Sequence, residues 1–431
     1  MENRRAPLLC PLPLPGGRFL LLCSLLTSAL SCSTETGDGP IAGTQDIAPE
    51  AAASPDGQGE IATGTDSAPQ VDTPRVPDAD AGTDLAGGDT PQDGVEEALP
   101  SDAAGPDSED WYFPPIDPED DTWETIPPEA LGWDASKLQD LLEYLEKHET
   151  TAFVVLYKGR ILVEQYWQGW DPHTTAKVFS VSKSVVAFLI GRAQAQGLLD
   201  IDGYVSSYVE DWSPALRIFK SKVTIRHLLT MTSGLTLALT FDAQVGTVWK
   251  YNTNAFKVLI AVLEAVTGAD IDDHSATTLY APTGMRDSSW QQDKLSCSAR
   301  DMARFGLMIL AGGQWDGQVL LEDPDYFAAM LDSSQDLNPA YGYLWWLNGK
   351  DSWLLPDDTA GTGPIIPSAP ADLVSAQGFG DKKIYVVPSM HLVLVRHGDA
   401  AGETSEESLS GFDDTLWQLL MAAASTPVDG D

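Results

Sequence analysis

Between Ser33 and Asp110 the sequence has no aromatic residue, and Arg75 is the only basic side chain there. A stretch made of Ala, Gly, Pro, Asp, Thr and Ser cannot bury enough apolar surface to offset the entropy of ordering, so no core is expected in it. Cysteine is also scarce. Of four in the chain, Cys10, Cys23 and Cys32 lie near the start, which leaves Cys297 alone in the remainder and excludes a disulfide framework. Cys297 reads as a small buried residue at a helix start rather than a reactive thiol. The six histidines include no His-x-x-x-His or comparable ligand spacing, so a metal site has no support and no cofactor is implied. No Gly-x-Ser-x-Gly elbow surrounds any serine, which leaves a triad built on His173, His227, His274, His391 or His397 without its local geometry. His227 reads as a packed or capping residue. Basic residues are few, 25 Lys and Arg against 64 Asp and Glu, for a formal net charge of -39. Nucleic acid is therefore a poor candidate partner.

Missing, too, is any apolar run long enough to span a bilayer, which takes about 20 residues. The run from Phe19 through Leu26 is short, follows Arg4, Arg5 and Arg18, and ends in small residues. That pattern predicts a signal peptide over residues 1–31. Ser28-Ala29-Leu30-Ser31-Cys32 resembles the lipobox of bacterial lipoproteins, although Ala29 stands where leucine is usual. The resemblance implies a lipidated Cys32 as the first mature residue and an envelope location. Residues 32–110 then form an acidic disordered tether, residues 111–425 the folded domain and residues 426–431 a tail. About 300 folded residues are near the upper limit for one compact unit, so two subdomains around a cleft are expected.

Order begins where aromatics return, at Trp111. Asp134 is a good N-cap for a helix from Ala135 to about His148, with Leu138, Leu141, Leu142 and Leu145 on one face. Phe153–Tyr157 and Arg160–Trp167, separated by Lys158-Gly159, predict a hairpin. Lys383–Val387 and Leu392–Val395 predict a second, turning at Pro388-Ser389, and Asp413 is placed as the cap of a last helix from Leu416 to Ala423. The middle reads as mostly helical. The expected fold is mixed α and β: an antiparallel sheet made from both chain ends, flanked by terminal helices, with an inserted helical subdomain. The aromatic run Tyr341–Trp346 reads as a buried strand, with room for one ring in the cleft.

Chemistry enters at Phe179-Ser180-Val181-Ser182-Lys183, just before the apolar stretch Val185–Ile190. Apolar on nearly every side, this segment predicts a buried helix ending near Gly197. Ser180 and Lys183 then share one face of its first turn. A serine hydroxyl needs a neighbour to take its proton, and a desolvated lysine loses enough charge to help. The helix N-terminus offers N–H groups to an oxyanion. The bland alternative is that Ser180 or Ser182 merely caps the helix and Lys183 snorkels to water. No other Ser-x-x-Lys spacing occurs in the chain.

With these residues in place, the chain from about Trp123 to Ala424 resembles the superfamily of class C β-lactamases, D,D-peptidases, esterases and nylon-oligomer hydrolases. Leu156–Arg160, Gly197–Asp200 and Val223–Leu235 are further stretches similar to that family. The resemblance implies that Ser180 is acylated and that Lys183 and Tyr251 move its proton, with Tyr251 pushed toward phenolate by the lysine. Tyr251-Asn252-Thr253 matches the Tyr-x-Asn motif except for Thr253. The nylon-oligomer branch, which tolerates a hydroxyl residue there, favours Thr253 over Asn254 for that role. Ala376-Gln377-Gly378 resembles the third motif, usually Lys-Thr-Gly. It implies Gln377 and Gly378 as substrate-binding residues and the backbone N–H groups of Ser180 and Phe379 as the oxyanion hole.

Ala376 removes the charge that the β-lactam-binding branches use for the substrate carboxylate. Esters and linear amides are therefore expected to be preferred over penicillins and over peptides ending in D-alanine, unless Arg396, Lys382 or Lys350 restores the charge. The alternatives are a β-lactamase or D,D-peptidase, or a catalytically silent domain that binds cell-wall peptides. The expected partners are a small ester or amide and the membrane; the oligomeric state is not legible.

Overall fold

The structure, a computed structural model, describes residues 111–401 and 411–424. The signal, Cys32, tether and 426–431 tail expectations lie outside the described residues. The first helix, α1 (Ala135–Lys147), starts where the sequence places it, with the Asp134 carboxylate accepting from the N–H groups of Ser136 and Lys137. It buries Leu138, Leu141 and Leu145. Strands β1 (Thr150–Tyr157) and β2 (Arg160–Tyr166) follow as an antiparallel hairpin. Its turn residues Lys158 and Gly159 both have positive φ, 46° and 87°, which a tight two-residue connection demands.

A short strand β3 (Thr175–Lys177) leads into α2 (Val181–Ala195), and the chain then passes through α3 (Ile225–Leu229) and α4 (Thr253–Thr267). Strands β4 (Ser289–Gln291) and β5 (Lys294–Ser298) join β3 in a small sheet ordered β3-β5-β4. Helix α5 (Ala299–Leu310) starts beside it, capped by Ser298. The chain closes with β6 (Trp346–Leu347), β7 (Val374–Gly378), β8 (Lys382–Val387), β9 (Leu392–Gly398) and α6 (Phe412–Ala424). The main sheet has six strands in the order β2-β1-β9-β8-β7-β6, and all its ladders are antiparallel. Both chain ends build it: β1 pairs with β9 from Thr150 opposite Gly398 to Tyr157 opposite Leu392.

Alternation along these strands sorts the core into two layers. Val154, Leu156, Ile384, Val386, Val393 and Val395 face the inner helices α2 and α5. Phe153, Val155, Tyr385, Val387, Leu392 and Leu394 face α1 and α6, where Leu141, Leu145, Leu416 and Trp417 meet them. Each such side chain, fully buried, contributes roughly 1.5–3 kcal/mol of transfer free energy. Helix α2 is buried on almost every side, as its uniform apolarity predicts.

Three expectations need correction. Asp413 does not cap the last helix; it lies inside α6, buried, accepting from Lys383 Nζ at 3.0 Å and from the Tyr385 hydroxyl. A buried ammonium needs a counter-charge more than a helix end needs a cap. Cys297 is buried, but in β5, with Ser298 between it and the helix; burial pushes its thiol up. The second hairpin turns through residues 388–391, with a short 3₁₀ segment and His391 at φ 53°, rather than through Pro388-Ser389 alone.

Candidate active site

Ser180 sits at the N-cap of α2, but its side chain caps nothing. Instead Lys183 Nζ lies 2.8 Å from Ser180 Oγ. Lys183 is 2% exposed, so it does not snorkel to water. Its ammonium is also 3.3 Å from Thr253 Oγ1 and 4.9 Å from the ring centroids of Tyr251 and Phe256. Burial lowers its pKa to about 7, with the nearby positive charge of Lys257 pushing the same way. A lysine in this state is part neutral at physiological pH and can accept a proton.

At Tyr251, burial opposes the ionisation that the motif implied. Burial pushes its phenol up to about 12, against a smaller downward pull from a hydrogen bond with Ser180. Desolvation disfavours the phenolate more than that hydrogen bond favours it, so burial holds Tyr251 toward the neutral phenol. Trp346 stacks on the Tyr251 ring, with centroids 6.2 Å apart and planes 20° apart, and Tyr341 meets both edge-on. The aromatic run is buried, as expected, but only Trp346 and Leu347 are strand. Its rings back Tyr251.

Thr253, at the start of α4, fills the position that the sequence left open between it and Asn254. Asn254 turns away and donates to the Leu237 carbonyl. Asn252, between Tyr251 and Thr253, carries more than the motif suggested. Its carboxamide oxygen caps α4 by accepting from Asn254 and Ala255, while its nitrogen donates to the Leu235 and Thr236 carbonyls. It thus ties the 235–236 loop to the helix that presents Thr253. His227 is a capping residue, as expected, reciprocally bonded with Thr224 at the start of α3.

Strand β7 brings Gly378 against Ser180. A Cβ at Gly378 would stand 2.2 Å from the Val178 carbonyl oxygen and 3.4 Å from Ser180 N, so the close approach admits only glycine. Phe379 follows, and its ring meets that of Phe179 at 5.4 Å in a T-shaped pair. Both rings are about half exposed beside Ser180. Phe179 has φ 48°, a left-handed conformation that costs a non-glycine residue of order 1 kcal/mol or more and recurs where a site holds strain.

Gln377 is a correction. Its side chain points to the face opposite Gly378, where it donates to Ser375 Oγ and accepts from Lys383 Nζ, fully buried. Period-two alternation decides this: if Gly378 faces the serine, Gln377 cannot. Of the three cations proposed to replace the missing charge, Arg396 and Lys350 are committed elsewhere, while Lys382 is buried at the edge of the cleft with its ammonium 5.2 Å from the Phe179 ring centroid. Arg396 is buried against Thr150 Oγ1 and the carbonyls of His148, Asp381 and Asp399. Lys382 donates to the Gly398 carbonyl, and Lys350 pairs with Asp332 at 2.7 Å. The cleft of about 630 Å³ over Ser180 and Lys183 is lined instead by Lys177, Lys257, Asp293 and Lys294, none of which the motifs flagged. Among the described residues no cluster of three metal-ligating side chains occurs.

The sequence profile of the Beta-lactamase family matches residues 138–407, well over half of the chain. The chain belongs to the beta-lactamase family. Its relatives include the 6-aminohexanoate-dimer hydrolase of Paenarthrobacter ureafaciens, 24% identical over 50% of this chain and 69% of that one. Among solved structures, a provisionally assigned beta-lactamase of Bacteroides dorei superposes with TM-score 0.56 at 17% identity, covering 68% of this chain and all of that one. A penicillin-binding protein homologue of Caulobacter crescentus gives TM-score 0.51 at 14% identity over 68% of this chain and 99% of the other. These likenesses fix a beta-lactamase and penicillin-binding-protein fold for this family member.

Proposed function

We propose that this beta-lactamase family protein is a serine hydrolase that cleaves ester or linear amide bonds through an acyl-enzyme on Ser180. The observation that carries the reading is the 2.8 Å contact between Ser180 Oγ and a buried Lys183 whose pKa falls to about 7. In this scheme Ser180 Oγ attacks the carbonyl carbon while its proton passes to Lys183 Nζ. The tetrahedral oxyanion is received by the backbone N–H groups of Ser180 and Phe379. The neutral phenol of Tyr251 passes its proton to the leaving group and takes up the one that Lys183 holds; water then attacks the acyl-enzyme carbonyl, giving a proton to Lys183, which returns it to Ser180 Oγ as the acid leaves. Ala376 in place of a cationic residue, with Arg396 and Lys350 committed elsewhere and Lys382 buried and bonded to the Gly398 carbonyl, favours linear substrates over β-lactams. Similarity to a 6-aminohexanoate-dimer hydrolase supports the same direction.

Fluorophosphonate labelling with peptide mapping tests the nucleophile, with Ser180 the expected site and Ser180→Ala inactive. Label on another serine, or full turnover by Ser180→Ala, overturns the assignment. On the same preparation, kcat/KM for a nitrophenyl ester or a linear amide should exceed that for nitrocefin. If nitrocefin gives the highest value, the protein is a β-lactamase in function as well.

A further inference from the structure

The cleft above Ser180 carries a charge that the rest of the chain does not. The whole sequence has a formal net charge of -39, yet beside the catalytic lysine the cleft is lined by three lysines, Lys177, Lys257 and Lys294, and one carboxylate, Asp293. Asp293 is committed to Lys257, at 2.9 Å. Lys177 and Lys294 are exposed and form no ion pair among the described residues.

Their placement follows from the elements. Lys257 lies four residues after Thr253 on α4, so the two share a face one turn apart, and Thr253 touches Lys183. On the small sheet Lys177 is directly opposite Ser296, and Lys294, two residues from Ser296 on β5, projects from the same face. Two independent elements thus turn ammonium groups into one cleft. A concave, low-dielectric wall with an excess of one sign concentrates ligands of the other sign. None of the three stands on the third-motif strand, where the family's charge is lost at Ala376.

We propose that Lys177, Lys257 and Lys294 form a subsite for a carboxylate carried on a flexible arm of a linear ester or amide. The substrate class is thus a linear acyl compound with a free carboxylate on its acyl arm, such as a mono-amide or mono-ester of a dicarboxylic acid. The inference rests on the hydrolase reading and sharpens it. A β-lactam holds its carboxylate in a fixed relation to the scissile bond and depends on the strand charge that is absent here. A linear chain can bend its carboxylate to the lysine wall.

The test compares the mono-4-nitrophenyl ester of glutarate with 4-nitrophenyl butyrate, using the full chain at low salt. The glutarate ester should be preferred in kcat/KM by about tenfold, mainly through KM, since each partly exposed ion pair is worth up to about a fivefold factor. That preference should shrink in 1 M salt and fall about tenfold in the Lys177→Gln/Lys294→Gln double variant. Lys350→Gln, which removes a lysine paired outside the cleft, should leave the preference as it was. Equal or better use of butyrate, or a preference unmoved by the double variant, overturns the subsite.

Calorimetry of glutarate with Ser180→Ala separates the two readings. Binding that weakens in the triple variant Ser180→Ala/Lys177→Gln/Lys294→Gln supports the subsite even if no ester is turned over, in which case the hydrolase reading fails alone. Turnover of both esters with no glutarate binding leaves the hydrolase and removes the subsite. Absence of both removes both.

Discussion

At Lys183, keeping an ammonium from water with the positive charge of Lys257 nearby brings the pKa to about 7. In the proposed mechanism the proton acceptor is its neutral form, which grows as pH rises through that value. Ester hydrolysis should therefore show kcat/KM climbing between about pH 6 and 8 and then levelling, because Tyr251 titrates only near 12. Lys183→Ala should lower turnover by about 10² or more and remove the climbing limb. A loss without any change in the pH profile would make Lys183 a packing residue. The same burial acts on stability with a definite sign. A lysine whose folded pKa is depressed weighs against the fold fully below about pH 7, and the penalty fades as pH rises toward its ordinary value near 10.5. Lys183→Met should accordingly raise the melting temperature more at pH 6 than at pH 10, a comparison that differential scanning calorimetry makes directly.

One element scale up, β7 is held in place from both faces. Toward Ser180, Gly378 lets the strand come within a Cβ's distance of the Val178 carbonyl. Gly378→Ala should cost about 1–3 kcal/mol of stability through overpacking and lower kcat by more than KM changes, as the Phe379 N–H moves off the oxyanion. Denaturant titration and steady-state kinetics on one sample check both parts. On the other face Gln377, Lys383 and Asp413 join β7 and β8 to α6, with Asp381 3.4 Å from the same ammonium. Removing one partner of a buried ion pair typically costs about 3–5 kcal/mol. Asp413→Ala should lose that much in urea titration, whereas a true helix cap would lose about 1 kcal/mol.

For the whole molecule, the acidic stretch 32–110 and the lipobox-like segment ending at Cys32 make a second kind of prediction, independent of the chemistry. The mature protein is expected to begin at Cys32, carry more than one acyl chain and partition with membranes. Cys32→Ala should shift it to the soluble fraction, and mass spectrometry of an unmodified N-terminus would refute the anchor. A chain that starts at Trp111 should keep its kcat/KM, because it contains both core clusters of the described residues and the candidate site. The sequence determined what depends on local period and spacing. Asp134 and the leucines of α1, the Lys158-Gly159 turn, the uniformly apolar α2 and the Ser180 to Lys183 spacing each specify their element without reference to anything distant. The pairing of both chain ends in one sheet was legible too, since two hairpins and two terminal helices leave few other ways to bury their faces. What the tertiary structure decided is what depends on neighbours far apart in the chain. Whether Tyr251 ionises is set by how deeply Trp346 and Tyr341 bury it. Which way Gln377 points is set by which face of β7 meets Ser180. Asp413 serves Lys383 because folding brings a buried ammonium from β8 to α6, and the lysines of the cleft share one wall only because α4 and the small sheet pack around the same serine. Charge and burial act through space, and the distances that govern them exist only after the chain has closed.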